Sequence, residues 1–521
     1  MTVATHAATI DPDALTMADV AAGALAGRPV TVLGFARSGI ALARFLVDAG
    51  ADVTIHDGRP LEAFGAAVEA LEGRPVRLAL GPDVDPASSW AGAALVATSP
   101  SITPDFPTTE PRLRSALQAL VSARAAGDPT APALVSEPDL FLRLCVAPTV
   151  GVTGTKGKTT TSALTAAILA ADPTHPAVLG GNIGVPIVER LPDLTPDHRV
   201  VYELSELQLP TLSRGTTVAA YTNVSADHLD RHGTVEAYRR VKRRLAELVD
   251  PDGALVLNAE DPVVTGYAGI GAAPSILYRR SRPMPGGVGV EDGWIVAAGV
   301  VRLPIAGGGA AMTGPGGRIM PVDELGIPGA HNVSNALAAV AVGLLFGVAP
   351  DAIRTAAAAF TGVEHRLETV AVVDGVRFVN DSQGTQPDAV AAALRAFPAP
   401  VVLIAGGRDK GVDLRDLATV VAERAVAAVL IGESGPDLAA RFREAGLAVT
   451  ELARDMPAAV TRAEALARAA LAERGPRAGT ATVLLSPAAA SFDMFVDYAA
   501  RGAAFKQAVA ALADARRGRH A

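Results

Sequence analysis

Residues 150–160 read Val150-Gly-Val-Thr-Gly-Thr-Lys-Gly-Lys-Thr-Thr160, a glycine-rich turn between an apolar run and a helical pattern. Glycine lets the backbone approach a polyphosphate, so that N–H groups and the N-terminus of the following helix face the phosphates. In such a turn Lys158 reaches the terminal phosphates and Thr159 ligates Mg²⁺. The stretch therefore predicts a nucleoside triphosphate site between a strand and a helix.

The turn departs from the spacing G-x-x-x-x-G-K-[ST], because Val152 stands five residues before Gly157. Glycine also serves ordinary strand-to-helix connections, which leaves a structural role open. Gly-Lys-Thr-Thr at a helix start favours ATP. The predicted ATP contacts in the turn are Gly154, Thr155, Lys156, Gly157, Lys158, Thr159 and Thr160.

Length and composition restrict the class of protein. A chain of 521 residues suggests about three domains. The net charge of −8 argues against a general nucleic-acid binder, and the single cysteine excludes an internal disulfide. No basic leader with a cleavage site and no long uncharged apolar run is present. We expect a soluble cytoplasmic protein without integral membrane association.

The first 131 residues predict a Rossmann-like domain. A strand from Val30, a glycine turn, a helix and a second strand ending at Asp57 form the opening of a doubly wound unit. Asp57 is placed to bond a ribose hydroxyl. Gly34 and Gly39 do not complete the pattern G-x-G-x-x-G. Three interpretations of this domain therefore remain open: it binds NAD, it binds a uridine nucleotide sugar, or it binds no ligand.

Residues 132–362 predict a central domain with a P-loop ATPase-like parallel sheet. Glu203 ends one strand and His228 follows the next, where carboxylate and imidazole can meet Mg²⁺ and phosphate. Lys242 lies in a basic helical segment that is open to interpretation as a solvated face. Asn332 and Asn335, one helical turn apart, are able to present amides to a base or sugar. The alternative is that Asn332 or Ser334 caps the helix.

Residues 363–521 predict a second Rossmann-like domain, which completes an α/β fold of three domains. Apolar strands alternate with alanine-rich helices, and polar residues collect where strands end, at 381–385, 406–410 and 486–493. Ligands bind at the carboxyl ends of such strands. These segments predict a second substrate pocket.

Taken together, the motifs resemble those of the Mur ligase family. In order, the chain contains Gly-Thr-x-Gly-Lys-Thr, Gly-Gly-Asn-Ile-Gly, Glu-Leu-Ser-x-x-Gln, Asp-His-x-Asp-Arg, His-Asn-x-x-Asn-Ala, Glu-His-Arg and Asn-Asp-Ser. The stretches 379–385 and 485–493 look like those of the members that add D-glutamate. The wider group includes folylpolyglutamate synthases, which the UDP-binding character of the first domain makes the weaker alternative.

The resemblance implies an ATP-dependent amide ligation in peptidoglycan precursor synthesis. ATP would phosphorylate the carboxylate of UDP-N-acetylmuramoyl-L-alanine, and the amine of D-glutamate would attack the acyl phosphate. It also implies two Mg²⁺ ions, a carbamylated Lys242 and a monomeric enzyme with small-molecule substrates. A Mur-type ligase with another amino-acid specificity is the alternative.

The resemblance assigns roles residue by residue. The catalytic residues would be Lys158, His228 and Lys242, and the metal ligands Thr159, Glu203, His228 and Lys242. Further ATP contacts would be Asn332, Asn335, Arg366 and Asp381. The substrate contacts would be Arg37, Ser38, Asp57, Arg59, Asn182, Ser205 and Gln208 for the UDP-sugar, with Thr385, Lys410 and Ser491 for D-glutamate.

Two departures from the family pattern concern charge. Lys156 replaces the usual Asn in the phosphate turn, where its ammonium either adds charge near phosphate or faces solvent. Gln383-Gly-Thr-Gln386 replaces the usual Lys-Ala-Thr-Asn. The second change removes a cation near the reaction centre, so it bears on amino-acid specificity.

Overall fold

The computed structural model describes residues 9–183, 186–225, 229–299, 317–327, 329–408, 414–475, 479–491 and 493–520. His228 and Lys410, both predicted site residues, lie outside these ranges. The chain divides into two compact units, Met1–Phe360 and Thr361–Ala521. The first unit contains two sheets and the second contains one.

The first sheet has five parallel strands in the order β3-β2-β1-β4-β5. Its strands are β1 (Pro29–Leu33), β2 (Asp52–Asp57), β3 (Arg77–Leu80), β4 (Leu95–Thr98) and β5 (Ala133–Ser136). The helices of this region are α1 (Met17–Ala21), α2 (Arg37–Asp48), α3 (Gly65–Glu69), α4 (Pro111–Ala125) and α5 (Glu137–Leu144).

The second sheet has nine strands in the order β14-β13-β12-β11-β10-β9-β6-β8-β7. Its strands are β6 (Thr149–Thr153), β7 (Ala177–Gly181), β8 (Arg199–Glu203), β9 (Val218–Tyr221), β10 (Ala254–Asn258), β11 (Ser275–Arg279), β12 (Val288–Glu291), β13 (Trp294–Ala297) and β14 (Arg318–Pro321). The helices of this region are α6 (Lys158–Leu169), α7 (Leu229–His232), α8 (Val235–Leu248), α9 (Pro262–Thr265), α10 (Ala330–Leu345) and α11 (Pro350–Ala359).

The predicted parallel sheet is extended by two strands that are joined through antiparallel pairings. β13 pairs antiparallel with β12 and with β14, whereas β7 to β12 are parallel. From Ala336 to Leu345 the helix α10 is apolar on all sides and buried, as expected for a helix inside a core. Its first turn lies at the start of α6, which matters for the site.

The third sheet has six strands in the order β15-β16-β20-β17-β18-β19, with β15 antiparallel to β16. Its strands are β15 (Glu368–Val373), β16 (Val376–Asn380), β17 (Val401–Gly406), β18 (Ala427–Ile431), β19 (Thr450–Leu452) and β20 (Ala481–Leu485). The helices are α12 (Pro387–Ala396), α13 (Arg415–Arg424), α14 (Gly435–Glu444), α15 (Met456–Arg474) and α16 (Tyr498–His520).

The first sheet extends beyond the predicted domain limit at residue 131. β5 pairs with β4 through residues 133–136, so this strand belongs to the first sheet. The small, proline-bearing segment before it looked like a linker but is a loop that leads into an edge strand. Among the described residues, no helix combines the length and apolar composition needed to cross a membrane.

Candidate nucleotide and amino-acid sites

The phosphate turn joins β6 to α6 and depends on glycine at two positions. Gly154 has φ 149° and Gly157 has φ 85°, conformations that L side chains rarely adopt. A Cβ at Gly154 would lie 2.0 Å from Thr222 Oγ1. The turn therefore approaches the segment after β9 too closely for any side chain at this position.

Residues 222–223, which follow β9, hold the turn through its backbone. Thr155 N donates to Asn223 O at 2.7 Å, and Lys156 N donates to Asn223 Oδ1 at 3.0 Å. Asn223 Nδ2 donates to Lys156 O at 2.8 Å. The Lys156 backbone is thus fixed at both ends of its peptide unit, while its side chain is exposed.

Lys158 reaches back over the turn that precedes it. Its Nζ donates to Gly154 O at 3.1 Å and to Thr155 O at 2.9 Å. Thr159 is buried and Thr160 half-buried in the first turn of α6. A polyphosphate bound in this turn would meet the ammonium group and the N-terminus of a twelve-residue helix together.

Asn335 connects the start of α10 to the phosphate turn. A Cβ at Gly157 would lie 2.5 Å from Asn335 Oδ1, and Asn335 Nδ2 donates to Asn332 Oδ1 at 3.2 Å. The helix is capped by Gly329, with no side-chain cap bond among the described residues. The alternative that Asn332 or Ser334 caps the helix is therefore wrong; the Asn335 amide lies beside the turn and is bonded to Asn332.

Glu203 ends β8 next to the phosphate turn, because its backbone is in register with Val152 of β6. It is 1% exposed, and its Oε1 accepts a hydrogen bond from Asn182 Nδ2 at 2.9 Å. Its Oε2 is buried and lacks a hydrogen-bond partner in the part of the chain described. A buried carboxylate oxygen without a partner suits a cation.

Lys242 is fully buried in α8, so the solvated-face interpretation is wrong for this residue. Its Nζ donates to Thr153 Oγ1 at 3.3 Å and lies 5.5 Å from the centre of the Tyr238 ring. The Tyr238 hydroxyl is 3.0 Å from Thr155 Oγ1. Lys242 therefore lies underneath the phosphate turn, next to the end of β6 from which the turn starts.

The described residues contain no group of three or more His, Cys, Asp or Glu side chains that could hold a metal ion. Of the four predicted metal ligands, Thr159, Glu203 and Lys242 are described, whereas His228 falls in the gap between residues 225 and 229. Thr159 lies in the first turn of α6, Glu203 at the end of β8 beside β6, and Lys242 in α8 within hydrogen-bond distance of Thr153 of β6.

At the first sheet, Asp57 is occupied by protein partners. Its carboxylate accepts hydrogen bonds from Phe35 N at 3.0 Å and from Arg59 Nε at 3.0 Å. Arg59 also stacks on Phe64, at 4.5 Å from the ring centre. Arg37 is exposed and Ser38 half-buried in the first turn of α2.

A cavity of about 150 Å³ lies beside Asp57, between the ends of β2 and β3. Its lining includes His56, Gly58, Gly81 and Arg112. Burial is the main reason why the pKa of His56 lies below its ordinary value.

In the central sheet, Ser205 and Gln208 are buried together, with Ser205 N and Oγ donating to Gln208 Oε1 at 2.9 and 3.0 Å.

The strand ends of the third sheet gather the remaining predicted contacts. Asp381 accepts from Ser486 Oγ at 2.6 Å and from Leu367 N at 3.2 Å, and burial raises its pKa to about 6. Arg366 is exposed between two residues with left-handed backbone, His365 at φ 63° and Leu367 at φ 47°. This strain marks the Glu-His-Arg segment as a constrained one.

Two segments of the chain match known protein families. Residues 152–343 match the family described as Mur ligase middle domain, and residues 365–489 match Mur ligase, glutamate ligase domain. A protein of Roseiflexus sp. (strain RS-1) named UDP-N-acetylmuramoylalanine–D-glutamate ligase is 37% identical over 93% of this chain and 99% of that protein. A protein of the same name from Anaeromyxobacter dehalogenans (strain 2CP-C) is 39% identical over 94% of this chain and 98% of that protein.

The chain belongs to the Mur ligase family. Members of this family are ATP-dependent ligases. A solved structure of a murein peptide ligase from Psychrobacter arcticus 273-4 covers 94% of this Mur ligase and 99% of its own chain, with 17% identity and a TM-score of 0.46.

Sequence reasoning missed three residues of this Mur ligase that the structure brings into the site regions. Asn223 holds the phosphate turn, Arg501 ties strand ends of the third sheet, and Glu137 is buried at the end of β5. Asn223 follows a predicted strand and could have been found as a strand-end amide. Neither of the other two carries a sequence signal, because each bonds a residue more than 60 positions away, Tyr202 for Glu137 and Ser382 for Arg501.

Proposed function

We propose that this Mur ligase adds D-glutamate to UDP-N-acetylmuramoyl-L-alanine at the expense of ATP, in peptidoglycan precursor synthesis. The observation that carries the proposal is 37–39% identity, along nearly the whole of both chains, to proteins named for that reaction. The match of residues 365–489 to a glutamate ligase domain supports it.

In the proposed reaction, an oxygen of the L-alanyl carboxylate attacks the γ-phosphorus of ATP and ADP leaves. The amine of D-glutamate then attacks the acyl carbon, loses a proton and forms the C–N bond as the C–O bond to phosphate breaks. Inorganic phosphate is released. No protein nucleophile is required, so the protein contributes positioning and electrostatic stabilisation of the developing charge.

The phosphate turn supports the first step. The backbone between Gly154 and Gly157 is held open by residues 222–223, and Lys158 already lies over it. Asn332 and Asn335 present amides next to the same turn. We assign the triphosphate to the turn, the adenosine to these amides, and further ATP contacts to Arg366 and Asp381.

We propose that two Mg²⁺ ions bind beside the phosphate turn. Glu203 Oε2 is a buried oxygen without a partner among the described atoms, and Thr159 supplies a hydroxyl at the start of α6. Mg²⁺ prefers oxygen ligands and, when bound, neutralises phosphate charge. We assign Thr159, Glu203, His228 and Lys242 to the metal sites.

We propose further that Lys242 is carbamylated. A fully buried ammonium is costly to maintain, and the neutral amine is the form that adds to CO₂. Carbamylation replaces a cation by an oxygen-bearing anion, which is the kind of ligand that Mg²⁺ binds. Lys242 Nζ lies 3.3 Å from Thr153 Oγ1 at the end of β6, close to the phosphate turn.

The remaining predicted residues are assigned to the two substrates. Arg37 and Arg59 carry exposed or half-exposed cations near the carboxyl edge of the first sheet, which suits a diphosphate. The UDP-sugar contacts are completed by Ser38, Asp57, Asn182, Ser205 and Gln208. Thr385, Lys410 and Ser491 are assigned to D-glutamate.

We also propose that the protein is a monomer and, because both ATP and a UDP-linked precursor are its substrates, that it acts in the cytoplasm. The proposed domains bind the UDP-sugar, ATP and the amino acid in chain order, with the first boundary moved from residue 131 to a point after β5 and the second kept at residue 362. Light scattering at micromolar concentration tests the monomer, and a dimer mass would contradict it.

The function is tested by an amino-acid scan with UDP-N-acetylmuramoyl-L-alanine, ATP and Mg²⁺, with ADP release as the readout. We expect release with D-glutamate and none without it. Turnover with L-lysine or diaminopimelate, but none with D-glutamate, would show a Mur ligase of other specificity, and turnover with a folate substrate would favour the folylpolyglutamate alternative.

Two variants in the same assay test the site assignments. Lys158→Ala should abolish ADP release, because the terminal phosphates lose their ammonium partner. Lys242→Ala should be nearly inactive and should regain activity with a short-chain carboxylic acid that replaces the carbamate. Full activity of either variant at saturating Mg²⁺ would contradict its assigned role.

A further inference from the structure

Arg501 lies in the first turn of α16 and is 1% exposed. Its Nε donates to Ser382 Oγ and its Nη2 to Ser382 O, both at 3.0 Å. Its Nη1 donates to Ala489 O at 3.1 Å. One guanidinium therefore joins the segment that follows β16 to the segment that follows β20.

The segment that follows β17 meets the same guanidinium. A Cβ at Gly407 would lie 3.2 Å from Arg501 Nη1 and 2.1 Å from Ala490 O. Arg408 N donates to Ala490 O at 2.9 Å, which pairs this segment with the one after β20. The carboxyl ends of three strands of the third sheet thus converge on Arg501.

The start of α16 is fixed independently of this guanidinium. Ser382 Oγ donates to Tyr498 O at 2.7 Å, and Asn380 Nδ2 donates to Gly502 O at 3.5 Å. Arg501 therefore projects from an anchored helix end, and its side-chain position follows from the fold. Replacing the side chain would leave the helix attached and the backbone bonds from Ala488 N to Gly384 O and from Arg408 N to Ala490 O in place. It would remove the three bonds that fix Ser382 and Ala489 relative to each other.

We propose that Arg501 is a positioning residue for the amino-acid site, because it fixes the relative positions of the segments that carry Thr385 and Ser491. This inference rests on the proposed function, in which those residues contact D-glutamate. Arg501 does not itself have to touch the substrate.

A guanidinium suits this task better than an ammonium. Its planar fork makes three bonds with fixed directions, to one hydroxyl and two backbone carbonyls, whereas Lys offers one flexible donor centre. Burial lowers the pKa of Arg501 to about 10, so it remains a cation at neutral pH. That positive charge also adds to the potential that a dicarboxylate meets.

The test compares three variants of the full-length protein. Arg501→Met keeps the length of the side chain without charge or donors, and Arg501→Lys keeps the charge without the fork. The matched control is Arg516→Met on the same helix, since Arg516 pairs with the buried Glu464 at 2.7 Å and lies away from the strand ends. KM for each substrate and the melting temperature are measured.

We expect KM for D-glutamate to rise at least about 10-fold in both Arg501 variants, with KM for ATP and for the UDP-sugar within about 2-fold. Arg516→Met should lower the melting temperature and leave all three KM values unchanged. If Arg501→Met does not fold, the KM values of Arg501→Lys test the inference.

A folded Arg501 variant whose KM for D-glutamate stays within about 2-fold of wild type would overturn the inference. So would an equal rise in all three KM values, which indicates general loosening. Failure of the wild-type protein to ligate D-glutamate would be a different result, since it overturns the proposed function and this inference with it.

Discussion

Lys158 and Lys242 look alike in the sequence but lie in different environments. Lys158 is half-buried above the phosphate turn and donates to two of its carbonyls. Lys242 is fully buried beneath the turn, between Thr153 and the ring of Tyr238. Lys158 is therefore partly open to solvent whereas Lys242 is not, and the proposed carbamylation concerns Lys242 alone.

Glu137 is a buried carboxyl group that no motif identified. It is the first residue of α5, is 2% exposed, and accepts from the Tyr202 hydroxyl at 3.5 Å. Burial raises its pKa to about 7, although the backbone N–H of Val188, Tyr202 and Arg37 each act in the opposite direction. The folded protein therefore prefers this carboxyl protonated.

This preference predicts a pH dependence of stability. The stabilisation is complete below pH 4.5, the ordinary pKa of Glu, and is lost as pH rises to about 7. The loss amounts to roughly 3 kcal/mol in the free energy of unfolding. Glu137→Gln, which stays neutral, should lack this loss.

Urea unfolding of wild type and Glu137→Gln at pH 5 and pH 8 measures the effect. The variant should gain stability relative to wild type as the pH rises, and Glu62→Gln, at an exposed carboxyl, should follow wild type. Parallel pH profiles for wild type and Glu137→Gln would contradict the prediction.

At the scale of elements, two helix starts and two strand ends form the nucleotide site. α6 begins at the phosphate turn, and the first turn of α10 reaches the same turn through Asn335. β6 lies between β8 and β9, so that Glu203 and residues 222–223 flank the turn. This sheet order has no signature in the local sequence.

Gly157 tests the contact between α10 and the turn. Gly157→Ala adds a Cβ at φ 85° and 2.5 Å from Asn335 Oδ1, whereas Gly127→Ala adds one at φ 85° with nothing within 4 Å among the described atoms. Both should lose about 1 kcal/mol from backbone strain. Only Gly157→Ala should also displace Asn335.

Calorimetry with ATP and Mg²⁺ separates the two effects. We expect at least about 10-fold weaker binding for Gly157→Ala and unchanged binding for Gly127→Ala. Equal affinities of the two variants would show that the contact between Asn335 and the turn does not contribute to the ATP site.

At the scale of the whole molecule, the division into units does not follow the number of sheets. The first two sheets share a hydrophobic core that runs from Ile10 to Ala273 and includes Phe141 and Tyr202 in edge-to-face contact at 5.2 Å. The described buried residues in the two cores of the third sheet, by contrast, all lie between Val376 and Val509.

Fragments should reflect this difference. Residues 361–521, expressed alone, should unfold cooperatively, because their sheet and cores are complete. Residues 1–131 should not, since they lack β5 and leave apolar core residues exposed. Thermal unfolding followed by circular dichroism measures both, and a cooperative transition in the shorter fragment would contradict this account of the core.

The sequence by itself determined the α/β class, the glycine turn before α6 and the membership of the Mur ligase family. These features depend on residues close together in the chain, where hydrophobic periodicity and glycine spacing have direct physical meaning. Local sequence patterns also indicated that polar residues at strand ends are candidates for the sites.

Only the tertiary structure decided which distant residues meet those local features. It placed Asn335 against Gly157, buried Lys242 beneath Thr153 and brought Arg501 to three strand ends. It also assigned β5 to the first sheet, because strand pairing depends on partners 38 positions apart, as Leu95 and Ala133 are. Long-range contacts leave no periodic signal in either partner, so the sequence could not specify them by local pattern.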